Sequence, residues 1–350
     1  MNHSDLLVRS TAALEVLLTD ARRSVEVEPE ELDEARHRRD LIAAALLEEF
    51  PGSTIYVNGS VAHGDALTPL TDVDLGVIVA DAPGYGPTGK GPLDLMERVR
   101  DAIRPRLGAE FPKLTVTVEG QHRAVLVRFG DPVTKGQPDF TADVIVALDN
   151  PKDAGLFIPN LPEGWDRSDP QQHTTIVLAA NEATHVAYAH IVRLLKAWNR
   201  RHGKPLCSWN IKALALGCIR EPISQTAGML AWFTYAIREL TRELTPDPAH
   251  VAPDPIELCL TKPEVLGKLG RAKDQLTKAI DFEAQGLPLN AQRELSKLLP
   301  DLVPAVNNQA ADEELADSLR STVTIPAQVA PTAFAAAVTA PRKASRSWAP

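Results

Sequence analysis

Two carboxylates two residues apart, Asp72 and Asp74, open the apolar run VDLGVIV within the segment VNGSVAHGDALTPLTDVDLGVIV, residues 57–79. Residues two apart on a strand point to the same face, so this spacing sets two like charges side by side while Val73, Leu75 and Val77 turn to the other side. Such a pair costs free energy at the edge of an apolar strand unless a cation neutralises it, and hard divalent cations take oxygen ligands of this kind. A third carboxylate from a neighbouring strand would complete the set. Asp143 is the expected donor, flanked by Ala142 and Val144 in FTADVIVAL; Asp139 and Asp149 are weaker candidates because either can simply be solvated. Upstream, Gly59-Ser60 follows a short strand, where glycine lets the backbone approach a ligand and amide N–H groups attract phosphate oxygens. Three carboxylates around two Mg²⁺ ions, or Mn²⁺ in their place, with a triphosphate held between metals and turn, is an arrangement for in-line nucleotidyl transfer. One metal lowers the pKa of the attacking hydroxyl and the other stabilises the departing pyrophosphate.

These residues need a sheet to hold them. Residues 4–24 and 30–50 read as helices, and from Pro51-Gly52 to about 150 the signals are those of strands: STIYV, VDLGVIV, LTVTV, RAVLVRF and FTADVIVAL, with one helical stretch, PLDLMERVRDAIRPRL, among them. LTVTVEG and RAVLVRF, a few polar residues apart, predict an antiparallel hairpin. Residues 151–175 are rich in Pro and Gly and read as irregular. Helices are predicted near 179–202, 209–219, 226–243, 263–284 and 289–300, and from about 306 the Ala/Pro-rich chain reads as a mobile tail. The fold class expected is thus α/β plus all-α: a mixed-sheet core over 51–165, a helical lobe over 166–305, N-terminal helices (1–50) packing across both, and a disordered tail (306–350).

Composition limits the function classes. The 350 residues are 44% hydrophobic and 24% charged, which is enough for a sizeable core. A net charge of −9, from 37 basic and 46 acidic residues, argues against a protein that coats nucleic acid by bulk electrostatics, so a polyanionic ligand has to be met locally. Cys207, Cys218 and Cys259 show neither disulfide nor zinc spacing. No apolar run approaches bilayer length and the start carries Asp5 and Arg9 within its apolar pattern, so no membrane association and a cytoplasmic location are expected.

Gly59-Ser60, Asp72-Val73-Asp74 and the distant Asp143 together resemble the polymerase-beta-like nucleotidyltransferase superfamily. IPNLPEGWDRSDPQQH (158–173) and HIVRLLKAWNRRHGKPLCSWNIKAL (190–214) narrow the likeness to the bacterial CD-NTases, relatives of animal cyclic GMP-AMP synthase and oligoadenylate synthase, over about residues 30–305. The resemblance implies that Gly59 and Ser60 hold phosphates and that Asp72, Asp74 and Asp143 bind metal. It further implies that Lys196 and Ser208 contact the triphosphate and that Trp209, where tyrosine is more familiar, stacks on the base. ATP and other ribonucleoside triphosphates would be the substrates, and cyclic di- or oligonucleotides the products. These would act as second messengers in anti-phage defence through a separate effector, with the C-terminal tail a place for a regulatory partner. No Cys/His zinc insertion of the animal type is present, so direct DNA binding is not implied.

Plainer readings stand beside these. Periodicity alone makes Lys196 a solvated lysine on an apolar helix; Ser208 serves equally as the N-cap of the helix beginning WNIKALAL, and Trp209 as core. His63, in a loop, reads as incidental. GYGPTGKG (84–91) nearly matches a P-loop, but Gly91 stands where a Ser/Thr is needed and Pro92 follows, leaving a flexible rim loop. The same site would serve a nucleotidyltransferase that modifies an RNA end, a protein or a small molecule, and a catalytically silent nucleotide-binding module is the third reading.

Overall fold

The computed structural model describes residues 12–80, 84–86, 91–161 and 163–322. Helices α1 (Ala12–Arg23) and α2 (Pro29–Glu49) lead into β1 (Thr54–Asn58), a single helical turn α3 (Gly59–Ala62) and β2 (Asp72–Ile78). Helix α4 (Pro92–Leu107) is followed by β3 (Thr115–Thr117), β4 (Val125–Arg128) and β5 (Thr141–Asp149). The main sheet runs β1-β2-β5-β4-β3; among the described residues only β2 and β5 pair in parallel. β3 and β4 form the antiparallel hairpin that the sequence predicts.

Alternation in β2 and β5 fixes what each face does. Val73, Leu75, Val77, Val144 and Val146 are buried beneath α2 and α4, against Ile42, Leu46, Leu95, Val99 and Ile103. Asp72, Asp74 and Asp143 are thereby left on the opposite face. One residue supports that face from within: Gly76 has no side chain because the Tyr56 ring lies across it, and a Cβ there would fall 2.0 Å from Tyr56 Cζ.

Residues 151–175 are not irregular. β6 (Leu156–Asn160) and β7 (Gly164–Ser168) form a hairpin whose first strand pairs with the end of β5. Gly155 and Gly164, both at positive φ, bracket the strands, so the residues that look like breakers are the turns. Helix α5 (Pro170–Ala183) starts earlier than predicted, capped by Asp169. The helix expected over 179–202 is two: α6 (Ala187–Arg201) begins after His185 and Val186 at φ 48° and 62°, and the Thr184 hydroxyl accepts from Tyr188 N at 3.0 Å. Then come α7 (Ser208–Cys218), α8 (Gln225–Arg242), α9 (Lys262–Ala284) and α10 (Pro288–Leu298) around a second core that holds Trp198, Trp232 and Phe233.

The expected tail also changes. α11 (Asn308–Thr322) is helical, and its Glu314 carboxylate accepts from the main-chain N–H groups of Leu289 and Asn290, supplying α10 with the cap its own sequence lacks. Residues 323–350, the rest of that stretch, lie outside the described residues, as do 1–11 and the 87–90 part of GYGPTGKG. Of the N-terminal helices, α1 packs its Leu14 and Leu18 into the helical lobe, while α2 packs on the sheet. No described helix is long and apolar enough to cross a membrane.

Candidate active site

A cleft of about 540 Å³ lies between the lobes, lined on the sheet side by Gly59, Ser60, Asp72 and Asp74 and on the helical side by Lys196, Ser208, Trp209 and Lys212. The sheet brings the three aspartates together. Asp74 and Asp143 are register partners on the parallel strands β2 and β5, so they lie side by side on one face at about 4.8 Å, the ordinary strand spacing. Asp72 stands two residues before Asp74 on the same face. Asp139 is turned away, accepting from Asp131 N at 3.0 Å, and exposed Asp149 pairs with Leu156 at the far end of β5.

Like charges so placed repel. The Asp74 carboxyl is pushed up to about 7, first by burial and then by Asp72 and Asp143. Burial and Asp72 also raise Asp143, against the pull of Arg128. Among the described residues no three His, Cys, Asp or Glu side chains are already gathered round one point at coordinating distance. The donor set fits a divalent cation by its chemistry, since all three side chains are carboxylates, by its register in the sheet, and by the repulsion that Lys212, Lys196 and Arg128 only partly relieve and such an ion would remove.

Gly59 makes room for this cluster. It sits at φ +77°, and a Cβ on it would fall 1.7 Å from Asp74 Oδ2. The backbone of the Gly59-Ser60 turn is thus pressed against the carboxylate that a side chain would displace.

On the helical side the structure corrects several expectations. Lys196 is not solvated: α6 is buried on nearly every side, because its outer flank packs on the core lobe through Ala197, Val25 and Leu67. Its ammonium donates to Asp65 Oδ1 and to the Asp65 main-chain carbonyl, each at 2.8 Å. Ser208 is not the N-cap. Cys207 fills that place, its Sγ accepting from Asn210 N at 3.4 Å, so Ser208 is the first residue of the helix, exposed and facing the cleft. Trp209 is half-buried at the cleft wall and packs on His173, with ring centroids 4.3 Å apart and planes 38° apart. His173 Nε2 lies 2.6 Å from Asp247 Oδ1, and Asp247 also accepts from Val251 N and Ala252 N.

Two functional candidates, Asp65 and Lys212, are not singled out by the sequence, and a third, His63, reads there as incidental. Asp65 is wholly buried and pairs with Lys196 at 2.8 Å and Lys212 at 3.0 Å. Burial opposes its charge, but Lys212 and Lys196 more than offset this and hold its carboxyl below the usual range. His63, far from incidental, is buried, accepts at Nδ1 from Lys212 Nζ at 2.7 Å, and lies 3.1 Å by Nε2 from Thr174 Oγ1. Burial, then Lys212, lowers His63 to about 3, so it is neutral. The readable signals were a carboxylate just before the apolar pair Ala66-Leu67 and a lysine inside the otherwise apolar IKALAL. Arg193 fastens the same loop, donating to the carbonyls of Gly64 at 2.7 Å and Ala66 at 3.3 Å.

No family model and no curated protein sequence matches the chain. Solved structures do. It is similar to CdnC of Escherichia coli MS115-1 in its complex with HORMA-deltaN, at 17% identity and TM-score 0.61 over 82% of this chain and 96% of that one. It is similar to the Elizabethkingia meningoseptica cyclic dinucleotide synthase CdnE with GTP and Apcpp, at 19% and 0.56 over 75% and 98%. The Bradyrhizobium diazoefficiens CD-NTase CdnG in complex with GTP gives 13% and 0.59 over 88% and 99%. At these identities the likeness establishes the fold.

Proposed function

We propose that this chain, which has the CD-NTase fold, is a nucleotidyltransferase. It joins ribonucleoside triphosphates into cyclic di- or oligonucleotides that act as second messengers in anti-phage defence. The observation that carries this is the register pairing of Asp74 with Asp143, beside Asp72 and across a cleft from buried lysines. Asp72, Asp74 and Asp143 would hold Mg²⁺, which supplies activation of the acceptor hydroxyl and charge stabilisation for the leaving pyrophosphate. The chain's own groups do the rest. The Gly59-Ser60 turn and the exposed Ser208 hydroxyl bind phosphate oxygens, the Lys196 ammonium neutralises phosphate charge from the helical side, and Trp209 offers a π face to the base. His63 keeps Lys212 from turning away.

Incubation of the protein with labelled NTPs and Mg²⁺, without added acceptor, should yield phosphatase-resistant products whose masses match cyclic nucleotides. The double variant Asp72→Asn/Asp74→Asn should lose at least about 10³-fold in turnover. Labelling that appears only when an RNA, protein or small-molecule acceptor is added would replace the cyclase reading, and wild-type inertness towards NTPs would end it.

A further inference from the structure

Lys196 and Lys212 belong to different helices, α6 and α7, yet both reach Asp65, three residues past the α3 turn of the sheet lobe. An ammonium has three N–H donors. Lys196 directs two at Asp65, to Oδ1 and to the main-chain carbonyl. Lys212 gives one to His63 Nδ1 and stands 3.0 Å from Asp65 Oδ2 as an ion pair, without a hydrogen bond to it. At least one N–H is left on each, and both residues line the cleft. His63 brings no charge: lysine can only donate, so Nδ1 is the acceptor, and Nε2 carries the proton towards the Thr174 hydroxyl, which in turn donates to Val57 O at 3.3 Å. Within this trio, at most 7% exposed, one carboxylate faces two ammoniums and leaves one positive charge over, which among the described residues only the Asp74 carboxyl, already raised by its own neighbours, faces from the sheet side. A buried charge of that kind is costly until an anion meets it.

We propose that Lys212 is a second phosphate-binding lysine beside Lys196, and that Asp65 and His63 are positioning residues that aim both ammoniums at one anion. That anion is the pyrophosphate end of a nucleotide, held without help from a divalent cation. Its identity rests on the nucleotidyltransferase reading of the cleft; the presence of an anion site does not. Asp65 acts as a shared counter-ion that fixes the separation of the two cations, which flexible lysine stems would otherwise leave undefined.

The test is a calorimetric titration of the full-length protein with inorganic pyrophosphate in EDTA. Wild type is expected to bind, and Lys212→Met and Asp65→Asn to weaken binding at least tenfold each, with less-than-additive effects in combination. Lys212→Arg, which keeps the charge, should restore affinity to within threefold. Lys278→Met, at an exposed position on α9 away from the cleft, should change nothing. Thermal unfolding reports whether each variant folds; if Lys212→Met does not, Lys212→Gln, which still carries an N–H donor for His63 and drops the charge, should show the same tenfold loss. A wild type that ignores millimolar pyrophosphate, or a folded charge-deleted variant that binds as tightly as wild type, overturns the proposal. The probe is inorganic and no turnover is read, so a chain that makes no nucleotide product can still bind it, and a blank titration leaves the catalytic assay to stand by itself.

Discussion

Replacing Gly59 by alanine separates two contributions that this turn combines. The residue sits at φ +77°, where an L side chain costs about 1–2 kcal/mol. The new Cβ would also fall 1.7 Å from Asp74 Oδ2 and 2.5 Å from its Cγ. The carboxylate must therefore swing by roughly 1 Å or more, and a displacement of that size at a reacting centre costs on the order of 10²-fold in rate. Gly64 supplies the control within the same loop: its φ is +70°, and nothing lies within 4 Å of the Cβ that alanine would add. Both Gly59→Ala and Gly64→Ala should lower Tm by a few degrees, reflecting the shared backbone cost. Only Gly59→Ala should lose about 10²-fold or more in pyrophosphate release from NTP and Mg²⁺. Turnover of Gly59→Ala within threefold of wild type would refute the idea that this glycine exists to admit the carboxylate. Equal losses in both variants would show that backbone strain alone is at work.

Two further outcomes follow from the helical side. Trp209→Ala should raise the KM for NTP by roughly 5–150-fold, the 1–3 kcal/mol of one stacked base, while Trp209→Phe stays near wild type; an unchanged KM in the alanine variant removes the stacking role. His63 has its pKa lowered to about 3 in the fold, from an ordinary 6.5, so protonation favours the unfolded chain. Its contribution to stability is present above pH 6.5 and is lost as pH falls towards 3. At pH 5 the loss is about 2 kcal/mol, and His63→Gln, which can still accept from Lys212, should gain that much on wild type between pH 7.5 and pH 5 in urea unfolding. Equal pH slopes in the two proteins would contradict it.

The parts of this molecule legible in its sequence are those written in short-range periodicity. Alternation in VDLGVIV and FTADVIVAL gave two central strands, and the aspartates that interrupt the alternation marked the face on which Asp72 and Asp74 line the cleft. Contacts between distant segments left no such trace. Asp65 and Lys196 are bonded across 131 residues, and neither residue's neighbours announce it. Periodicity alone makes Lys196 solvated, because it sees one face of a helix, whereas α6 is enclosed by both lobes. The β6–β7 hairpin was hidden by Gly155, Pro159 and Gly164, since the same residue types break strands and turn them. Residues 308–322 carry only two large apolar side chains, Leu315 and Leu319, and so look unable to fold, but Glu314 docks that helix through hydrogen bonds to α10, an interaction that hydrophobicity does not register.

The single parallel pairing of the sheet bears on how the chain is made. During synthesis β1 and β2 can pair as soon as both have left the ribosome, but the other edge of β2 stays open until residues 141–149 emerge to cover it. An apolar strand with a free edge is a template for aggregation, and charge along it is the common safeguard. Asp72 and Asp74 carry charge on that edge throughout the wait. The carboxylates that burden the finished sheet would thus have guarded the nascent one.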